Sequence, residues 1–142
     1  MTLPNHQTVI RLLRAKLLTL VTEADTPIKW WGEEIDPPGM SPGRLWLRER
    51  FVVTAEGQRA TELNESLGIW YIDVVRPKGQ RADAALAIAQ TIADGFDAVH
   101  ALTGSGVEVT LDRVQRKSDT PASDPWIAMP VSVEWRTYAA TG

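Results

Sequence analysis

Glu33, Glu34 and Asp36 put three carboxylates into four consecutive positions. That is the density of oxygen ligands a Mg²⁺ or Ca²⁺ ion takes, and the kind of pair that general acid–base catalysis uses. No companion motif accompanies them, and acidic loop residues are more often plain solvated surface. His6 and His100 are the only histidines. Either could serve as a base to Ser105, yet Gly104-Ser105-Gly106 lacks the extended pattern of a nucleophile elbow and reads as a turn. The same GSG is too short to cradle a phosphate, and no lysine follows it at Walker spacing. Arg44, Arg48 and Arg50, with Trp46 among them, form a basic and aromatic strand face of a kind that can hold single-stranded nucleic acid. The pI near 5.4 and the lack of RRM and cold-shock signatures favour a solvated face, or one that meets a neighbouring subunit. Cysteine is absent, which removes thiolate zinc sites, a Cys nucleophile and thiol redox chemistry, and fits a protein made in a reducing cytoplasm.

Six tryptophans, Trp30, Trp31, Trp46, Trp70, Trp126 and Trp135, are many for 142 residues. Most belong in a core or on a sheet face, because large aromatics dominate burial. Trp30 and Trp31 are neighbours, so on a strand they point to opposite faces and one of them leaves the main core. Aromatics and arginine are also the residues enriched at interface hot spots. The candidate interface is therefore Trp31, Glu33, Glu34, Asp36, Arg44, Trp46, Arg48 and Arg50.

The elements that must position these residues follow from periodicity. The length of 142 residues fits a single domain over 1–142 with a core that needs no staples, and the net charge of −3 gives no global pull towards nucleic acid or an anionic membrane. The N-terminal apolar residues recur at helical spacing, unlike a signal peptide, and no apolar run approaches the ~20 residues of a membrane span. Val9, Leu12, Leu13, Leu17, Leu20 and Val21 share one helix face, with Asn5 as N-cap and an end near Glu23. A short strand over 28–31 leads into GEEIDPPGMSPG at 32–43, whose three prolines and three glycines in twelve residues predict an exposed loop.

Over 44–53, Leu45, Leu47, Phe51 and Val53 alternate with Arg44, Trp46, Arg48 and Arg50, and Glu49 is the odd member of the apolar face. The polar stretch 54–66 reads as a turn. The strand 67–76 is apolar on both faces and so reads as central. An alanine-rich helix over 81–99, a strand over 107–114, a polar loop over 116–125 and a strand over 126–138 complete the chain. Pro130 lacks an N–H, which predicts an edge strand, a strand start or a bulge for that last element. The expected fold is α+β in the order α-β-β-β-α-β-β, with a mostly antiparallel sheet of four to five strands and two helices on one face.

This order resembles the phage tail-terminator-like family, tail-completion proteins related in fold to the terminator of lambda-type phages. The features that carry the resemblance are WW before a Pro/Gly loop, YIDVVRPKG at 71–79 leading into an alanine-rich helix, and VSVEWR at 131–136; it extends over 9–138. The resemblance implies a non-enzymatic structural subunit without cofactor or metal. Copies of it would form a ring, expected to be a hexamer, on the tail tube, ending tube polymerisation and offering a surface to the head. The implied partners are the subunit itself, the tail tube protein and a head-completion protein. No membrane is implied, and nucleic acid only as DNA passing through the ring. The implied location is the virion tail, assembled in the bacterial host cytoplasm. The loops at 32–43 and 54–66 are the expected sites of tube or neighbour contact. Another head–tail connector or minor tail protein shares this logic. A single-stranded nucleic-acid module using Arg44, Trp46, Arg48 and Arg50 is the rival of a different class, and a hydrolase built on Glu33, Glu34 or Asp36 is a third reading.

Overall fold

The computed structural model describes residues 4–33, 44–60, 63–122 and 126–140. Helix α1 (His6–Leu17) starts at Asn5, whose side chain accepts from the Thr8 N–H at 3.3 Å, as the sequence predicts for an N-cap. It ends six residues short of Glu23. Leu18, Thr19 and Leu20 continue it as tight turns onto Arg14, Lys16 and Leu17 carbonyls. After β1 (Ile28–Lys29), the chain builds β2 (Trp46–Ala60), β3 (Leu63–Pro77), α2 (Asp83–Asp97), β4 (Ala101–Gly104), β5 (Val107–Arg116), β6 (Thr120–Pro121) and β7 (Trp126–Ala140).

The strands form one seven-stranded sheet in the order β1-β2-β3-β7-β5-β4, with β6 also on β7. It is larger than the expected four to five strands. It is also mixed, because β1 runs parallel to β2 while the other pairs are antiparallel. The two extra strands are β4, the first arm of a short hairpin, and β6, while the short strand expected over 28–31 is β1. Two residues in β6 are too few to carry a period. The β4–β5 hairpin turns on Ser105 and Gly106, whose φ values of 52° and 75° give the two positive-φ positions of a type I′ turn. The GSG is thus a turn, as read.

Two expectations are corrected. First, β7 is not an edge. It lies between β3, paired from Pro77↔Trp126 to Leu63↔Ala140, and β5 with β6 on its other side. Pro130 is tolerated because β5 and β6 leave a gap opposite it, crossed by Lys117, whose N–H donates to the Pro130 carbonyl at 2.8 Å. In an extended strand a residue's N and C=O point the same way, so the missing N–H faces that gap and costs no bond to β3. Second, the described residues of the expected loop, 54–60 and 63–66, are strand. Both strands run on through them as a long hairpin with register shifts between Val53 and Ala55 and between Gln58 and Ala60. Polar side chains hide the strand signal there, since most described residues on the β2 side are exposed on both faces.

Both helices pack on one face of the sheet, as expected. Val9, Leu13 and Leu17 of α1 and Ala85, Ala89, Ile92 and Phe96 of α2 share a buried core with Leu47, Phe51, Trp70, Ile72, Val133 and Trp135. The alanines of α2 let its axis approach closely, and Phe96 reaches the Trp70 ring at 5.2 Å. On the opposite face a smaller cluster forms where Trp46, Val75 and Ala128 lie under Trp126, with the two indoles edge-on at 5.7 Å.

Candidate functional site

Alternation along β2 sends Glu49 to the helix side of the sheet and Arg48 and Arg50 to the open side. On the helix side, Glu49 is 2% exposed. Its carboxylate accepts from Arg14 Nε and Nη2 at 2.6–3.0 Å, from the Trp31 N–H at 3.0 Å and from Trp70 Nε1 at 2.8 Å. The odd polar residue of an apolar face is therefore a fully satisfied buried charge that ties α1, β3 and the segment after β1 to β2. Arg14 also lies 4.9 Å over the Trp30 ring.

On the open side, Asp73 of β3 is fully buried and takes both arginines, with contacts of 2.8–2.9 Å to Arg48 and 2.8 Å to each Arg50 nitrogen. The hydrogen bonds to Asp73 raise the Arg50 pKa, against the opposing effect of burial. Arg50 further stacks 4.1 Å over Tyr71, whose ring also has Lys117 at 5.5 Å. Arg48 and Arg50 are thus held flat on the sheet by an internal carboxylate.

The other sequence-predicted residues are dispersed. Arg44 donates to the Ala24 and Asp25 carbonyls at 2.8 and 3.1 Å, tying the start of β2 to the turn after α1. Trp46 is 5% exposed beneath Trp126. Trp31 is 51% exposed, its ring 5.8 Å from Phe51. Glu33 is exposed beside it, and Glu34 and Asp36 lie outside the described residues. Among the described residues no group of three or more His, Asp or Glu side chains could hold a metal ion. Ser105 meets Arg11 at 2.9 Å, whereas His6 meets Ser66 at 2.9 Å and Glu56 at 3.1 Å on the hairpin, so this histidine and the serine serve separate contacts.

The structure adds a feature the sequence reading missed. The outward side of α1 and Trp31 enclose an open groove of about 590 Å³, with Ile10, Ala15 and Leu18 as its apolar lining and Arg11 and Arg14 as its polar one. Leu18 is 45% exposed. Ile10, Arg14 and Leu18 recur every four residues, a signal present in the sequence but masked by the stronger core stripe beside it. Next to the groove, β1 pairs with β2 only at Leu47 and Arg48. The outer edge of β2 over 49–60 has no strand neighbour among the described residues, and Val52 and Val53 on it are 41% and 39% exposed.

The fold is thus a mixed sheet with two helices on one face and an exposed apolar flank beside the β2 edge. The sequence profile of the family described as phage tail terminator protein matches residues 8–135, and the chain belongs to that family. Its role is accordingly structural, in completion of the phage tail, and it is a component of the virion tail. A solved structure similar over 90% of this chain and 94% of its own superposes with a TM-score of 0.63 at 19% identity, a likeness of fold. No curated protein sequence matches the chain. No helix among the described residues is long and apolar enough to cross a membrane.

Proposed function

We propose that copies of this chain close into a ring on the end of the tail tube, stop addition of tube protein and present the ring's far side to a head-completion protein. The observation that carries the proposal is the flank made by the groove at Trp31 and the open edge of β2, on a chain that belongs to the terminator family. Isolated soluble domains rarely leave a long strand edge and large apolar side chains together unless a partner covers them. A ring needs each copy to use two unlike patches, and closure uses up every patch. Within this proposal the exposed Trp31 and Glu33 and the half-buried Arg48 and Arg50 of the predicted interface contact a neighbour or the tube.

Light scattering of the protein, alone and with short tube fragments, tests this. A species of six copies of the 15.7 kDa chain, about 94 kDa, is expected in solution or bound to the fragments. A single copy in both settings would overturn the ring. The alternative role as a head–tail connector shares the same assembly logic. It predicts binding to head-completion protein without any arrest of tube growth.

A further inference from the structure

The two helices carry opposite charge. Helix α1 contains Arg11, Arg14 and Lys16 and no acidic residue, whereas α2 contains Asp83, Asp94 and Asp97 and no basic one. Each also bears an exposed leucine, Leu18 just past α1 at 45% and Leu86 on α2 at 42%. On α2, Gly95 touches the Leu20 side chain that follows α1. Leu86 is nine residues from Gly95, half a turn out of phase at about 100° per residue, so it lies on the flank of α2 turned away from α1. Asp97, eleven residues on, falls about 20° from Leu86 on the same helical wheel, and Asp83 and Asp94 fall within about 80°. The α1 groove opens instead towards Trp31. A basic apolar patch and an acidic apolar patch therefore sit on separate surfaces of one subunit.

Resting on the ring reading above, we propose that the groove between α1 and Trp31 of one copy receives the Leu86 flank of α2 from the next copy. Leu86 would fill the space between Leu18 and Trp31, and Asp97 and Asp94 would face Arg11. Arg14 is already neutralised by Glu49, so Arg11, which among the described residues donates to the Ser105 hydroxyl at 2.9 Å and faces no carboxylate, is the groove cation with charge to offer. On the other side, Asp83 is paired at 3.1 Å with Arg81, at 74% and 88% side-chain exposure, and Asp94 accepts from Gln90 at 2.6 Å. Asp97 is therefore the acid best placed to meet Arg11. Apolar contact supplies adhesion, and the charges set which helix may face which, since α1 against α1 and α2 against α2 would juxtapose like charges. Such a head-to-tail pairing is the heterologous contact that a closed ring requires.

The absence of cysteine makes a direct test simple. Leu18→Cys and Leu86→Cys are prepared as single variants and treated with a short thiol-to-thiol cross-linker, separately, mixed, and combined in one chain. The expected result is no product from either single variant, a covalent dimer from the mixture, and a ladder up to the full ring from the double variant. In parallel, Arg11→Glu and Asp97→Arg should each raise the concentration for half-assembly about tenfold, with most of the loss recovered when both are present. A wild-type ring by light scattering with no cross-link and no rescue by the paired reversal would overturn this interface and leave the ring reading standing. A wild type that stays a single copy in solution and on tube fragments would overturn the ring and this interface with it.

Discussion

Asp73 is where a single side chain has the largest consequence for the open sheet face. Removing a buried carboxylate strands the cations that faced it, and the cost is largest where those cations cannot turn fully into water. Arg48 and Arg50 are 33% and 42% exposed at the side chain, so the penalty is moderated. Asp73→Ala should lower stability by about 2–3 kcal/mol, read from the urea midpoint. Arg48→Ala should cost under about 1 kcal/mol, because Arg50 still satisfies the carboxylate. Equal losses from the two variants would contradict the assignment of Asp73 as the shared anchor.

Asp119 gives a pH signature of its own. Its hydrogen bonds to Arg76, at 3.0 and 2.7 Å, hold its pKa below the ordinary 3.8. A depressed folded-state pKa adds stability that is complete above the unfolded value and disappears as pH falls through the folded one. Asp119→Asn should therefore lose stability relative to the parent at neutral pH, and the gap should close progressively as pH falls below the ordinary 3.8, in thermal melts taken across the acid range. Curves that stay parallel down to pH 2 would rule the pair out as a contributor.

Elements show how much the sequence could reveal. Both helices, the Asn5 cap, the central place of β3 and the GSG turn were legible because each is set by local residues: a face repeated every three or four positions, a capping side chain, two positive-φ positions. The status of β7 was not. Pro130 signals an edge only if its N side must pair, and here the break between β5 and β6 relieves it, a fact set by residues 117–119 rather than by the strand itself. The long hairpin was hidden for a different reason, since its β2 arm is mostly exposed and the buried positions of its β3 arm, Asn64 and Ser66, are polar. Among the candidate site residues, the basic stripe of Arg48 and Arg50 was legible. Its neutralisation by Asp73, more than twenty positions away, was not. Nor was Glu49 legible as a hub, because its partners Arg14, Trp31 and Trp70 come from three separate segments.

Strand packing at Gly68 yields the element-scale prediction. A Cβ there would run into the Val52 carbonyl oxygen and the Trp135 indole, whereas one at Gly57 meets nothing within 4 Å. Gly68→Ala should cost about 3 kcal/mol or more, or prevent folding, while Gly57→Ala should change stability by less than about 1 kcal/mol. Soluble yield and urea midpoints of the two variants separate these outcomes. A well-folded Gly68→Ala protein of parental stability would mean that β2, β3 and β7 do not stack as described.

At the scale of the whole molecule, the inner carboxylates Glu49 and Asp73 fasten the subunit, and the charges left over are sorted between α1 and α2. If that sorting guides assembly, ring formation should weaken as salt rises from about 50 to 500 mM, because the screening length shrinks from about 14 Å to about 4 Å over that range. Urea stability, resting mainly on the apolar core, should change far less. Sedimentation at the two salt concentrations, alongside unfolding curves, compares the two responses. Assembly that strengthens with salt would assign the contact to apolar burial alone.

The central claim is that this subunit ends tube growth by closing on the tube's tip, and the most direct measurement is electron microscopy of tube protein polymerising with and without it. The account predicts tubes that stop lengthening once the protein is added, each carrying a closed ring of density at one end. Tubes that keep growing at the same rate, with bare tips or with protein scattered along their sides, would contradict it.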